Sequence, residues 1–204
     1  MNSRSSSSRS MRRIAPNGSI AGTTFVVVDV ETTGLSPLEG GITEIAMVKV
    51  RNGLIHDEYT TLVNPLQPIP LSITLMTGID DAMVAGAPTA AMVAPLVSDF
   101  LGDGVFTAHN AQFDLGFVNH TLSKGNIAPI ENPILCTCRL ARRMLPYLPS
   151  KSLGPLARQL GIKNFHRHRA AGDAYATAEV LIRFLRRLEE HYDVHDLAGV
   201  LKFQ

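Results

Sequence analysis

The chain has 204 residues, 45% of them hydrophobic and 18% charged, and a net charge of +1. That length supports one sizeable core, and the composition excludes a disordered or fibrous protein. The near-neutral balance excludes nucleic-acid capture by bulk charge, so any such binding must come from a local site.

Residues 1–23, "MNSRSSSSRSMRRIAPNGSIAGT", are rich in Ser and Arg and contain no acid. This composition suits a transit peptide or, more commonly, a disordered basic tail. A continuous apolar stretch of the secretory kind is missing, and no apolar run is long enough to span a bilayer. The expectation is a cytoplasmic protein with a mobile N-terminal tail. "TTFVVVDVE" follows, a continuous β-branched run that reads as a central strand covered on both faces. "GLSPLEGG" is a loop. "ITEIAMVKVRNGLIHDEYTTLVNP" reads as two strands joined at Asn52-Gly53, a strong hairpin signal. "LSITLMTGI" and "APTAAMVAPLVSDFLGD" read as helices, and "VFTAHN" as a short strand.

"AQFDLGFVNHTLSKG" reads as a helix with Asn110 as N-cap and Gly125 as its stop. "NPILCT" is a strand, "CRLARRMLP" a helix ended by Pro146, and "SLGPLARQLGI" a short helix that Ser152 would cap. "RAAGDAYATAEVLIRFLRRLEEHY" is the last and longest helix. Strands mixed with helices, one hairpin among them, predict an α/β domain on a mixed sheet. The expected organisation is a tail over 1–23, one domain over 24–188 and a short C-terminal tail over 189–204. Cys136 and Cys138 are too close for a good mutual disulfide and lack the second pair a zinc site needs, so both read as packing residues.

Two acids end the most apolar strand. Side chains alternate along a strand, so Phe25, Val27, Asp29 and Glu31 share one face, and Val26, Val28 and Val30 share the other. The two acids lie roughly 7 Å apart at their α-carbons. From there they can converge on one ion, at the strand end where open α/β sheets place ligands. Taken alone, such a pair also fits solvated strand-end charges. "AHNAQFDLGF" adds Asp114 in a first helical turn, where an acid also complements the helix dipole. "HRHRAAGDA" adds His168 and Asp173, five residues apart. They can act together if His168 precedes the helix and Asp173 sits in its first turns.

"DVETTGL", "HNAQFDLGF" and "HRAAGDA" together resemble the three motifs of the DnaQ-like (DEDDh) 3′–5′ exonucleases, the family of the proofreading epsilon subunit of bacterial DNA polymerase III. The motifs occur in the family's order, and the resemblance covers about residues 24–188. It implies a ribonuclease H-like exonuclease fold, with a central mixed sheet of about five strands flanked by helices. It implies Asp29, Glu31, Asp114 and Asp173 as metal ligands and His168 as general base. His166 is not part of the pattern. By the same resemblance Thr32, Thr33 and Leu35 would hold the terminal nucleotide, with Leu35 wedged against a base. Asn110 and Phe113 would line the same cleft, and for Phe113 core packing is an equal alternative.

Four carboxylates in one cleft would repel, and divalent cations would remove the conflict. An all-oxygen donor set points to two Mg²⁺ or Mn²⁺ ions rather than zinc. Such a pair stabilises the attacking and leaving oxygens of an in-line displacement at phosphorus. Imidazole suits proton removal at neutral pH, and a loop position would let His168 swing in with substrate. Arg139, Arg142, Arg143, Lys163, Arg167 and Arg169 are either phosphate contacts or simply a solvated face.

The expected activity is release of nucleoside 5′-monophosphates from DNA 3′ ends, single-stranded or frayed, in proofreading or repair. An exoribonuclease of the oligoribonuclease or RNase T type is the alternative, although "ETTG" is closer to the polymerase-associated branch. A non-catalytic domain docked to a polymerase or to nucleic acid is a third reading, with the intact acids against it. No polymerase-docking motif is evident in "DVHDLAGVLKFQ".

Overall fold

The computed structural model describes residues 18–163 and 168–204. His166 and Arg167 lie outside the described residues. Five strands form one sheet: β1 (Phe25–Thr32), β2 (Ile42–Arg51), β3 (Leu54–Leu62), β4 (Val105–Ala108) and β5 (Ile134–Cys136), in the order β3-β2-β1-β4-β5. The helices are α1 (Leu71–Thr77), α2 (Asp81–Val84), α3 (Ala90–Leu101), α4 (Ala111–Lys124), α5 (Thr137–Met144), α6 (Leu153–Gln159), α7 (Ala170–Tyr192) and α8 (Leu197–Phe203). The expected mixed sheet is therefore present. β3, β2 and β1 pair antiparallel, and β1, β4 and β5 pair parallel.

The hairpin turns at Asn52 and Gly53, both at positive φ (52° and 69°). That is the backbone a two-residue turn between twisted strands requires. β1 sits at the junction of the two halves of the sheet and is covered on both faces. Phe25 and Val27 pack with α5, α6, α7 and α8 residues such as Leu140, Leu156, Leu181 and Leu197. Val26, Val28 and Val30 pack with Val93 and Val97 of α3 and Phe117 and Val118 of α4. The continuous apolar run is thus explained by a helical layer on each side.

Gly125 ends α4, but not in the left-handed form typical of a helix stop; its φ is −90°. A Cβ there would lie 2.6 Å from the Ala94 Cβ, so the close approach of α3 and α4 demands glycine. Asn110 holds the N-cap place of α4, but in a left-handed conformation (φ 75°) and without a side-chain capping bond. Ser152 likewise makes no side-chain cap to α6.

Of the two segments read as tails, residues 1–17 lie outside the described residues, and residues 18–23 and 189–203 are built into the fold. Ser19 bridges to Asp196, the Ile20 N–H donates to the His195 carbonyl (3.0 Å) and the Leu197 N–H donates to the Gly18 carbonyl (3.1 Å). Ile20, Leu197 and Val200 are buried. The C-terminal stretch completes α7 and forms α8, capped by the Asp196 carboxylate on the Gly199 N–H. These pieces are too short to show a periodic pattern, and their order comes from pairing with each other. Both cysteines are free, with Cys136 buried. Among the described residues no helix is long and apolar enough to cross a membrane.

Candidate active site

β1 and β4 pair only from Phe25–Val27 to Val105–Thr107. Beyond Val27 the two strands separate, and β1 continues alone on that side to Thr32. The acidic end of β1 therefore stands at a split in the sheet, at the carboxyl end of its parallel half. Asp29 and Glu31 lie on the α7 face of β1, as the alternation predicts. α7 brings in Asp173 from its first turn. One carboxylate oxygen from each of Asp29, Glu31 and Asp173 falls within 4.8 Å of the others. Asp114, in the first turn of α4, is buried beside them. The backbone N–H groups of Val30 and of Asp114 itself favour its charged form, and it is not one of the tight group of three.

The site carries more negative charge than its own groups relieve. Burial, then the charges of Asp114, Asp173, Glu31 and Glu44, push the Asp29 carboxyl well above the usual carboxylate range. Burial, with Asp173 and Glu44 adding to it, raises Glu31 to about 7 against the opposing pull of Arg169. Burial raises Asp114 to about 8 despite its two backbone donors. Buried acids in such a state recruit either protons or cations. The donors are all carboxylate oxygens and close enough to share an ion, so the group fits a hard divalent metal. Asp114 and Asp173 also sit at helix N-termini, which favour negative charge.

His168 stands just before Arg169, the N-cap of α7, with φ +60°, a left-handed backbone rare for a residue with a side chain. Its N–H donates to Asp173 Oδ2 (3.0 Å). Its ring does not join the group of three carboxylates.

Thr32 and Thr33 are buried and engaged locally. The Thr32 hydroxyl donates to the Gly34 carbonyl (2.7 Å). The Thr33 hydroxyl accepts from the Gly41 N–H (3.0 Å) and pairs with the Gln67 carboxamide. A Cβ on Gly41 would meet the Pro65 Cβ at 3.0 Å, so this loop closes tightly on the 65–67 segment. Leu35 stands clear of it, 88% exposed. Asn110 is exposed and borders a cavity of about 300 Å³ that Gln112, Cys138, Arg139, Arg142 and Gln204 also line. Phe113 is partly buried and packs on Phe117, with ring centroids 5.0 Å apart, so it serves the core.

Two of the arginines read as phosphate contacts or a solvated face are engaged within the protein. Arg143 donates to the carbonyls of Lys202 (3.3 Å) and Phe203 (2.9 Å). Arg169 forks onto Glu44, Nε to Oε2 at 3.0 Å and Nη2 to Oε1 at 2.6 Å. Both bind partners far away in sequence, which local charge clustering does not reveal.

Two polar residues escaped the sequence reading. Glu44 lies opposite Glu31 in the β1–β2 register and is 2% exposed. Its signal was present: an acid on an otherwise apolar strand, as at Asp29. His109 is held between Thr137 Oγ1 (2.9 Å from Nδ1) and the Lys151 carbonyl (2.8 Å from Nε2). A carbonyl only accepts, so Nε2 carries the proton and Nδ1 accepts from the Thr137 hydroxyl. Burial lowers its pKa, which keeps this neutral tautomer. His109 thus ties β4, α5 and the segment before α6 together.

The Exonuclease family model (RNase_T) matches residues 26–181. A DNA polymerase III PolC-type from Clostridium perfringens is 41% identical over 173 residues, which are 85% of this chain but only 12% of that protein. The DNA polymerase III subunit epsilon of Aquifex aeolicus is 37% identical over 181 residues, covering 89% of this chain and 90% of the relative. The solved structure of Exonuclease X in complex with 5′ overhanging duplex DNA superposes with a TM-score of 0.69 at 31% identity, covering 87% of this chain and 99% of that one. The match spans all three acidic motifs, and the epsilon subunit and Exonuclease X are covered at nearly full length; the chain belongs to the exonuclease family.

Proposed function

We propose that the chain is a divalent-metal-dependent 3′–5′ exonuclease that removes nucleoside 5′-monophosphates from DNA ends in the cytoplasm, with residues 24–188 as its catalytic domain. The observation that carries this reading is the meeting of Asp29, Glu31 and Asp173 oxygens within 4.8 Å, on elements as far apart in sequence as β1 and α7. Asp29, Glu31, Asp114 and Asp173 hold two ions, Mg²⁺ or Mn²⁺. Bound there, the ions supply the positive charge that an in-line displacement at phosphorus needs. β1, fixed between two helical layers, supplies a rigid platform for Asp29 and Glu31. Asp114 comes buried from the first turn of α4. His168 removes the proton of the attacking water. Leu35, clear of its own loop, packs on the terminal base, and the backbone around Thr32 and Thr33 positions the sugar. Asn110 and the exposed edge of Phe113 border the same path.

DNA is the favoured polymer because the relatives that match over nearly their whole length are a DNA polymerase III subunit and a nuclease solved with duplex DNA. The same relatives support work alongside a replicative polymerase on frayed 3′ ends. The test uses 5′-labelled DNA and RNA oligonucleotides with Mg²⁺ or Mn²⁺, with and without EDTA, beside His168→Ala. Metal-dependent shortening of DNA is expected. His168→Ala should lose about 10²–10⁴-fold in rate while calorimetric Mn²⁺ binding survives. Faster shortening of RNA would give the chain to the exoribonucleases, and no shortening of either polymer would make it a binding domain.

A further inference from the structure

Glu44 is a fifth carboxylate at the site, and it is built differently from the other four. It projects from β2 on the α7 face, the face of Ala46 and Val48, and stands in register with Glu31. A charge this deeply buried is stable only when fully paired. Three donors meet it. Two come from the Arg169 guanidinium (3.0 and 2.6 Å), and the third is the Ala170 N–H (2.8 Å). Arg169 is the N-cap of α7 and offers that helix no side-chain cap of its own. Glu44 does this work instead, from another element, by taking the N–H of the helix's first residue. The next residue back is His168, in its left-handed backbone conformation. On the other side, three residues on from Ala170, is Asp173.

We propose that Glu44 is a positioning residue, whose carboxylate, through Arg169 and the Ala170 N–H, pins the start of α7 to β2 and so sets where His168 stands relative to Asp29 and Glu31. The proposal rests on the exonuclease reading for the role of His168, but the anchor itself is independent of it. β2 is the natural reference for such an anchor. It is hydrogen-bonded along its length to β1, so an offset fixed to Glu44 is also fixed to Asp29 and Glu31. His168 is otherwise held by its N–H on Asp173 Oδ2, an oxygen a bound metal would draw away. The Glu44 contacts involve no carboxylate of the metal cluster. A bidentate guanidinium fork fixes direction as well as distance, which a lysine in its place would not.

The test compares the full chain with Glu44→Gln and Arg169→Lys, each also combined with His168→Ala. Glu44→Gln keeps the shape and one acceptor but loses the charged fork. The expected result is a kcat lowered about 10–100-fold with KM for a DNA oligonucleotide within about 3-fold, since misplacement of a catalytic group costs rate rather than binding. On the His168→Ala background the same change should cost less than about 3-fold, because the group it positions is gone. In the metal-free protein, exchange of the Ala170 amide should quicken at least about 10-fold. An equal loss of kcat on both backgrounds, or loss of thermal stability with kcat unchanged, would make Glu44 a structural residue only and overturn the proposal. If Glu44→Gln does not fold, Arg169→Lys carries the same comparison. If the wild-type chain has no nuclease activity, the exonuclease reading fails, and unchanged Ala170 exchange would then overturn the anchor on its own.

Discussion

Glu31 and Glu44 face each other across neighbouring strands, both buried, yet the protein treats them in opposite ways. Glu44 receives a guanidinium fork and a backbone donor. Among the described residues Glu31 receives no such fork, only the charge of Arg169, and its carboxyl is raised to about 7 by burial and by Asp173 and Glu44. The fold can neutralise a buried acid at this depth, and one strand over it does so. The difference separates acids that hold the architecture from acids kept in want of a cation. It also shows that burial alone does not mark a functional carboxylate; what meets the charge does.

The comparison can be broken most forcefully at Asp29. Asp29→Asn should lower the exonuclease rate at least about 10³-fold, as expected when charge needed at the transition state is removed. It should also raise the melting temperature of the metal-free protein, because one crowded negative charge disappears. A variant that loses activity and stability together would place Asp29 among the architectural acids. The opposite change is Glu44→Ala, which strands Arg169 and the Ala170 N–H. Chemical denaturation should show a loss of about 2–4 kcal/mol, the range for breaking a largely buried ion pair with one partly exposed member. A loss near zero would mean that water serves Arg169 as well as Glu44 does.

The gentlest probe is pH. Glu31 and Asp114 hold their protons more tightly in the folded chain, to about 7 and about 8, than in the unfolded one. Their contribution to stability is therefore complete below their ordinary carboxylate range and is lost as pH rises through 7 and 8. Without divalent ions the melting temperature should fall by about 5–10 °C between pH 5 and pH 8.5. Saturating Mg²⁺ should flatten this slope, with its largest benefit at the alkaline end. An identical slope with and without metal would detach these acids from metal binding.

Much of this arrangement was legible in local sequence. Alternation along "FVVVDVET" put Asp29 and Glu31 on one face, and the structure places them there, on the α7 side. Asn52-Gly53 marked a hairpin that the positive φ values bear out. The spacing of His168 and Asp173 required a residue before a helix and another in its first turn, and α7 begins between them. What stayed hidden depends on distant partners. Glu44 and Arg169 are 125 residues apart, and no local period links them. Arg143 read as a phosphate contact or a solvated charge because its acceptors, the Lys202 and Phe203 carbonyls, lie about sixty residues on. Residues 18–23 and 193–203 look like tails until they meet each other.

The split between β1 and β4 has a consequence for how the protein is made. Asp29 and Glu31, Asp114 and Asp173 follow one another along the chain, and the three motifs meet only when α7 docks on β1 and β2. Contacts so distant in sequence form late and together. A growing chain on the ribosome therefore carries acids but no assembled centre. The assembled acidic group exists only once α7 is seated, and a chain cut before Asp173 lacks one of its three close carboxylates.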